Sequence, residues 1–190
     1  MNPQKNRIIG VTGYFASGKD TAAEYFVSRK GFEHLSLSDM IRNRLRGEGV
    51  EITIPNLTAM GNKIRNERGP GALAEMALSA MMPGRNYAVT SIRHPAEVAA
   101  LRKSGSFSLV FVDAPVEVRY LRSIARARAG DCASFEEFKA AEQAQMTSKD
   151  SNAQRLAECR DLADRIIVND STLEALHAHL DEIVNEAVKS

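Results

Sequence analysis

Five short apolar runs, each followed by residues at helical spacing, constrain the folding of this 190-residue chain more than any other feature. The runs are Arg7–Thr12, His34–Leu37, Tyr87–Ser91, Phe107–Val112 and Arg165–Val168. Between and after them, helical patterns cover Gly18–Lys30, Asp39–Arg46, Asn56–Arg68, Ala72–Met81, Ala96–Lys103, Val116–Ala129, Ser134–Met146 and Thr172–Val188. Buried strands alternating with helices predict a parallel sheet covered on both faces. Ligands of such sheets collect at the carboxyl ends of the strands, so functional motifs are expected directly after them. No repeat, low-complexity tract or linker interrupts the pattern, and residues 1–190 are expected to form a single domain.

The first run ends in the most informative motif. Ile8-Ile9-Gly10-Val11-Thr12 leads into Gly13-Tyr14-Phe15-Ala16-Ser17-Gly18-Lys19-Asp20-Thr21 and then a helix. The spacing is GxxxxGK after a strand and before a helix. Glycines permit the dihedrals that turn successive N–H groups inward, and the helix N-terminus adds partial positive charge. Lys19 is then in reach of β- and γ-phosphates. Gly13, Ala16, Ser17, Gly18, Lys19, Asp20 and Thr21 are the expected nucleotide ligands. A glycine-rich turn without a ligand is the alternative reading. The strict pattern has Ser or Thr after the lysine, whereas this chain has Asp20 and then Thr21. Two readings of Asp20 stand: a Mg²⁺ ligand, direct or through water, or a carboxylate that complements the helix dipole.

Bulk properties exclude other classes. A hydrophobic content of 44% and charged content of 26% are ordinary for a soluble globular chain. A net charge of +1 gives no reason to expect nucleic acid or membrane as a partner. Residues 1–7 lack the apolar run of a signal peptide, and no stretch approaches the ~18 apolar residues of a membrane span. Two cysteines, Cys132 and Cys159, make neither a disulfide framework nor a CxxC site, so a cytoplasmic location is expected. The sequence does not specify an oligomeric state.

Further motifs follow the other runs. Ser36-Leu37-Ser38-Asp39-Met40-Ile41-Arg42 puts Asp39 and Arg42 nearly one helical turn apart, so both can face a cleft. A guanidinium there suits bidentate phosphate binding. Alternatively Ser38 or Asp39 caps the helix and Arg42 is solvated. Thr90-Ser91-Ile92-Arg93-His94-Pro95 offers a second arginine and a turn histidine. Arg119, Arg122, Arg126 and Arg128 follow Asp113-Ala114-Pro115, and no Asp or Glu lies between Arg119 and Arg128. Such an unmixed basic face points to anion binding rather than to a solvated helix face.

Lys19-Asp20-Thr21 resembles the GKGT of adenylate kinases and, more closely, the GKDT of phage deoxynucleoside monophosphate kinase. Ser36–Arg42 resembles the S-x-G-D-M-L-R of nucleoside monophosphate kinases, Arg93 occupies the place of the arginine in D-G-F-P-R, and Val112-Asp113-Ala114-Pro115 resembles their V-D-x-P. Ala163–Glu174 resembles the closing segment of dephospho-CoA kinases. The resemblance implies an α/β fold: a P-loop NTPase three-layer α/β/α sandwich with a five-stranded parallel sheet. It also implies a helical acceptor-binding insertion at about 39–86 and a small lid at about 128–148. The lid lacks the four ligands of zinc-bearing lids.

The activity implied is transfer of the γ-phosphate of ATP, with Mg²⁺, to a small-molecule acceptor. Lys19, Arg93, Arg122 and Arg126 would stabilise the moving charge, and Arg122, Asn169 and Asp170 would also lie against ATP. Asn169 and Asp170 are equally readable as a plain turn before a helix capped by Ser171. Asp39, Arg42, Arg65 and Arg93 would hold the acceptor. A nucleoside or deoxynucleoside monophosphate needs arginines but no strong base. The 3′-hydroxyl of dephospho-CoA would use Asp39 as a base. A nucleotide-binding regulator with little transferase activity is the third reading, because no acid ends the third run.

Overall fold

The computed structural model of the protein describes residues 6–126, 134–146 and 155–186. Its elements run β1 (Ile8–Gly13), α1 (Lys19–Lys30), β2 (Glu33–Ser36), α2 (Leu37–Gly47), α3 (Ile54–Arg68), α4 (Ala72–Ala80), β3 (Tyr87–Thr90), α5 (Pro95–Arg102) and β4 (Phe107–Asp113). Then follow α6 (Val116–Arg126), α7 (Phe135–Met146), α8 (Leu156–Asp161), β5 (Arg165–Val168) and α9 (Leu173–Glu186). All five expected strands form, within two residues of their expected ends.

The strands pair in parallel in the order β2-β3-β1-β4-β5. Alternate residues of β1 serve opposite faces. Ile8 joins Leu109 and Phe111 beneath α2, α3, α4 and α5, whereas Ile9 and Val11 join Val110, Val112 and Ile167 beneath α1 and α9. The result is three layers, the α/β/α sandwich expected of P-loop proteins. The chain leaves β1 toward β2 and β3 on one side and returns to β4 and β5 on the other. The crevice created by that reversal opens at the end of β1, where the glycine loop begins.

Two boundaries and one helix differ from expectation. Helix α2 starts at Leu37 after an extended Ser36, so Ser38 and Asp39 lie within its first turn rather than capping it. Helix α9 is capped by Thr172, whose Oγ1 accepts from the Ala175 N–H at 3.2 Å, and not by Ser171. Helix α8 was not anticipated, because its 6 residues are too few to display a period. Among the described residues, no helix is long and apolar enough to cross a membrane.

Candidate phosphate-binding site

The glycine loop is tightly braced. Ser17 N–H closes onto the Tyr14 carbonyl at 3.3 Å, and Ala16 takes a left-handed φ of 57°. Gly18 sits at φ 97°, and a Cβ placed on it would lie 2.2 Å from Asn169 Nδ2. A Cβ on Gly13 would lie 2.1 Å from the Val112 carbonyl oxygen. Both glycines are therefore required by close approach of neighbouring chain, and Gly18 also by its dihedral. Thr12 Oγ1 donates to the Ile92 carbonyl at 2.7 Å, joining the ends of β1 and β3.

The loop after β5 completes the brace. Asn169 is buried; its Nδ2 donates to the Ser17 carbonyl at 2.8 Å and its N–H to the Asp113 carbonyl at 2.8 Å. Arg122 Nη1 donates to the Asn169 carbonyl at 2.9 Å and reaches the Ser17 carbonyl at 3.4 Å. Asn169 and Arg122 thus stand beside the loop as expected, and these contacts hold its backbone in shape. Asp170 is exposed, one residue beyond. Thr21 is exposed on the first turn of α1.

Cations crowd the loop. Burial lowers the affinity of Lys19 for its proton, and Arg93 and Arg126 lower it further, while Asp20, 3.6 Å away, opposes them. Arg93 is half-buried and feels the same desolvation, offset first by Glu97 and then by Asp20. Arg126 lies 4.7 Å over the ring of Phe15 at the loop's tip. Lys19, Arg93, Arg122 and Arg126, from three separate parts of the sequence pattern, are therefore gathered around one loop. Arg119 behaves differently: it is buried, donates to the Ala114 carbonyl at 2.7 Å, and stacks on Tyr14 at 5.0 Å. Arg128 and Cys132 lie outside the described residues, as do the first residues of the expected lid.

Beside the loop is a cavity of about 420 Å³ lined by Asp20, Glu24, Ser38, Asp39, Arg42 and Ser91, among others. Arg42 Nη1 donates to Asp39 Oδ1 at 3.0 Å and to Ser38 Oγ at 2.5 Å, so the pair occupies the wall together. Ser36 Oγ lies 2.9 Å from both Ser38 Oγ and Ser91 Oγ, and His34 Nε2 lies 2.9 Å from Thr90 Oγ1. Ser91 has φ 63°, a left-handed conformation that a residue with a Cβ keeps only when its surroundings over-determine it.

Arg65 corrects an expectation. It does not line the cavity; it is 9% exposed, and its Nη2 is 3.1 Å from Oε1 of Glu97, which has no exposed surface. Gly61, one turn earlier, leaves room for this guanidinium. The stripe of Leu57, Met60 and Ile64 packs in the core, as its spacing suggests. His94 caps α5, its Nδ1 accepting from the Ala96 N–H at 3.1 Å, as befits a turn histidine. Among the described residues, no group of three or more His, Cys, Asp or Glu side chains could hold a metal. A Mg²⁺ would have to combine one carboxylate with phosphate oxygens and water, the usual habit of that ion, and Asp20, 70% exposed beside Lys19, is suitably accessible. Sequence reasoning missed Glu97, Tyr14 and the aromatic contact between Phe15 and Phe138, whose centroids are 5.9 Å apart.

No family model matches the chain. It is 31% identical over 181 residues to a UPF0200 protein of Pyrobaculum aerophilum, which spans 94% of this chain and 97% of that protein. The chain belongs to the UPF0200 family. A second UPF0200 relative, from Methanoregula boonei, is 30% identical over 181 residues, covering 94% and 96% of the two chains. This UPF0200 chain also has the fold of TT1252 from Thermus thermophilus, with a TM-score of 0.59, 23% identity and coverage of 96% and 98%. A shikimate kinase from Aquifex aeolicus superposes with a TM-score of 0.56 at 18% identity, covering 96% and 99%. The UPF0200 chain thus shares the P-loop α/β fold of these proteins.

Proposed function

We propose that this UPF0200 protein is an ATP-dependent small-molecule kinase that transfers the γ-phosphate to a nucleoside or deoxynucleoside monophosphate. The observation that carries the reading is the crowding of Lys19 by Arg93 and Arg126 beside a glycine-braced loop. Burying like charges together is costly, and a polyphosphate relieves that cost on binding. Phosphoryl transfer spreads charge over oxygens, so positioned cations are the main catalytic requirement. The fold shared with a shikimate kinase supports a phosphotransferase in general.

In this reading the N–H groups of Gly13–Thr21 cradle the β- and γ-phosphates, Lys19 bridges them, and Arg93 and Arg126 follow the moving charge. Asn169 and Arg122 keep the loop in its receptive shape. Bound Mg²⁺, held through Asp20, would neutralise the phosphates and fix their geometry. The acceptor occupies the 420 Å³ cavity, a volume within the usual range for small-molecule sites. Arg42 holds its phosphate by exchanging Asp39 for the ligand.

A second reading has its own support. Asp39 stands in the same wall, and with Arg65 engaged elsewhere fewer cations face the cavity than the sequence suggested. A carboxylate so placed suits removal of a proton from a hydroxyl acceptor, as in dephospho-CoA. Incubating the full chain with ATP·Mg²⁺ and a panel of ribo- and deoxyribonucleoside monophosphates plus dephospho-CoA tests both. ADP formation that depends on one monophosphate is the expected result. Turnover with dephospho-CoA alone selects the second reading, and no acceptor-dependent turnover, with ATP still bound, leaves a nucleotide-binding regulator.

A further inference from the structure

Glu97 has no accessible surface, and its two oxygens serve different parts of the molecule. Oε2 accepts from the backbone N–H of Arg93 at 2.9 Å and of His94 at 3.1 Å. Oε1 accepts from Arg65 Nη2 at 3.1 Å, across 32 positions of sequence. Capping a helix does not require this: a neutral or solvated side chain suffices. Complete burial of a carboxylate is costly and persists only where hydrogen bonds and an opposite charge compensate it. Here both compensations are present, and the turn they secure carries Arg93. The other face of that turn is fixed as well, since the Arg93 carbonyl accepts from the Arg155 N–H at 2.8 Å.

We propose that Glu97 is a positioning residue for phosphoryl transfer, fixing the β3–α5 turn so that Arg93 points to the phosphate loop, with Arg65 tying that turn to helix α3. The inference rests on the kinase reading above. Its chemistry is that of alignment: reacting groups misplaced by ~1 Å can lose about 10²-fold in rate. The carboxylate has a second effect, offsetting part of the desolvation cost of the half-buried Arg93 cation. Because Oε1 and Oε2 belong to one rigid group, movement of α3 reaches the Arg93 turn directly.

The test compares Arg93→Ala, Glu97→Ala, their double variant, and Arg65→Met/Glu97→Gln in the full chain, each corrected for its folded fraction. Glu97→Ala is expected to lower kcat by about tenfold or more with KM for ATP changed by less than about threefold. Combined with Arg93→Ala it should add little, since residues acting as a unit are not additive. Arg65→Met/Glu97→Gln removes both charges and the tie to α3 while keeping an amide oxygen for the two turn N–H groups, and should recover only part of the turnover lost in Glu97→Ala. Wild-type kcat in folded Glu97→Ala, or fully additive losses with Arg93→Ala, overturns the proposal. If Glu97→Ala does not fold, the charge-removed pair decides: a kcat below wild type with KM for ATP little changed supports the positioning role, and wild-type kcat refutes it. Should the wild type phosphorylate no acceptor, the kinase reading fails separately. Displacement of a fluorescent ATP analogue then reads the turn: equal loss of preference for ATP·Mg²⁺ over ADP·Mg²⁺ in Arg93→Ala and Glu97→Ala supports the inference, and an unchanged preference in Glu97→Ala removes it.

Discussion

The two sides of the cleft treat charge in opposite ways. Around the glycine loop Lys19 is half-buried with Arg93 and Arg126 near it, both lowering its affinity for a proton, and Asp20 opposes them. In the cavity wall Arg42 stands beside Asp39, and in the interior, away from the cavity, Arg65 is held against Glu97. The first side gains when an anion arrives. The second is already balanced, so a ligand there must displace an existing partner. In the proposed reading, tight nucleotide capture would belong to the first arrangement and selectivity to the second, because exchange of partners rewards only an acceptor that replaces what it removes.

Lys19→Ala should break the donor side most completely, reducing transfer by about 10³-fold in a radiolabelled ATP assay while circular dichroism stays unchanged. Wild-type turnover would remove the loop from the chemistry. Asp39→Asn sharpens the acceptor side. With a hydroxyl acceptor kcat should fall by about 10²–10⁴-fold, whereas with a monophosphate the freed Arg42 should leave kcat nearly intact.

Arg65 and Arg42, both expected at the acceptor, differ in what they support. Arg65→Met leaves Glu97 buried without its cation and should cost about 3–5 kcal/mol in urea denaturation. Arg42→Ala breaks a pair whose members are 35% and 48% exposed, and should cost less than about 1 kcal/mol while raising acceptor KM. Equal stability losses would erase the distinction.

The smallest effect is in pH. Lys19 binds its proton less tightly in the folded protein than at the ordinary 10.5, mainly through burial. Its charge therefore costs stability fully below the lowered folded value, and the cost fades as pH rises from there toward 10.5. Ligand-free Lys19→Met should melt above wild type at neutral pH, and the gap should narrow as the solution becomes alkaline. A gap that widens would mean that Lys19 is stabilised by its neighbours rather than opposed.

Much of the donor side was legible because its signals are local. A strand, two glycines and a lysine within one short stretch specify a loop, and unmixed arginines on α6 point toward it. The sheet was legible for the same reason, each buried strand being a compact apolar run. Arg65 was misassigned because its partner lies on another helix, and nothing near Ile64-Arg65-Asn66 announces a buried acid. Glu97 was invisible for the converse reason: between Ala96 and Val98 it reads as an ordinary first-turn carboxylate. Asn169 was expected near the loop through resemblance, but only three-dimensional contact reveals that it braces Ser17.

The contact between Phe15 and Phe138 links the crest of the glycine loop to α7, a helix more than a hundred residues further along the chain. Tyr120 of α6 leans on the same Phe138 ring, and Arg126 covers Phe15 from the α6 side. Any rearrangement of the crest must disturb this stack of rings. In the kinase reading, a reporter dye on α7 would register occupancy of the adjoining loop, turning the helix into a gauge of whether the protein is charged with fuel.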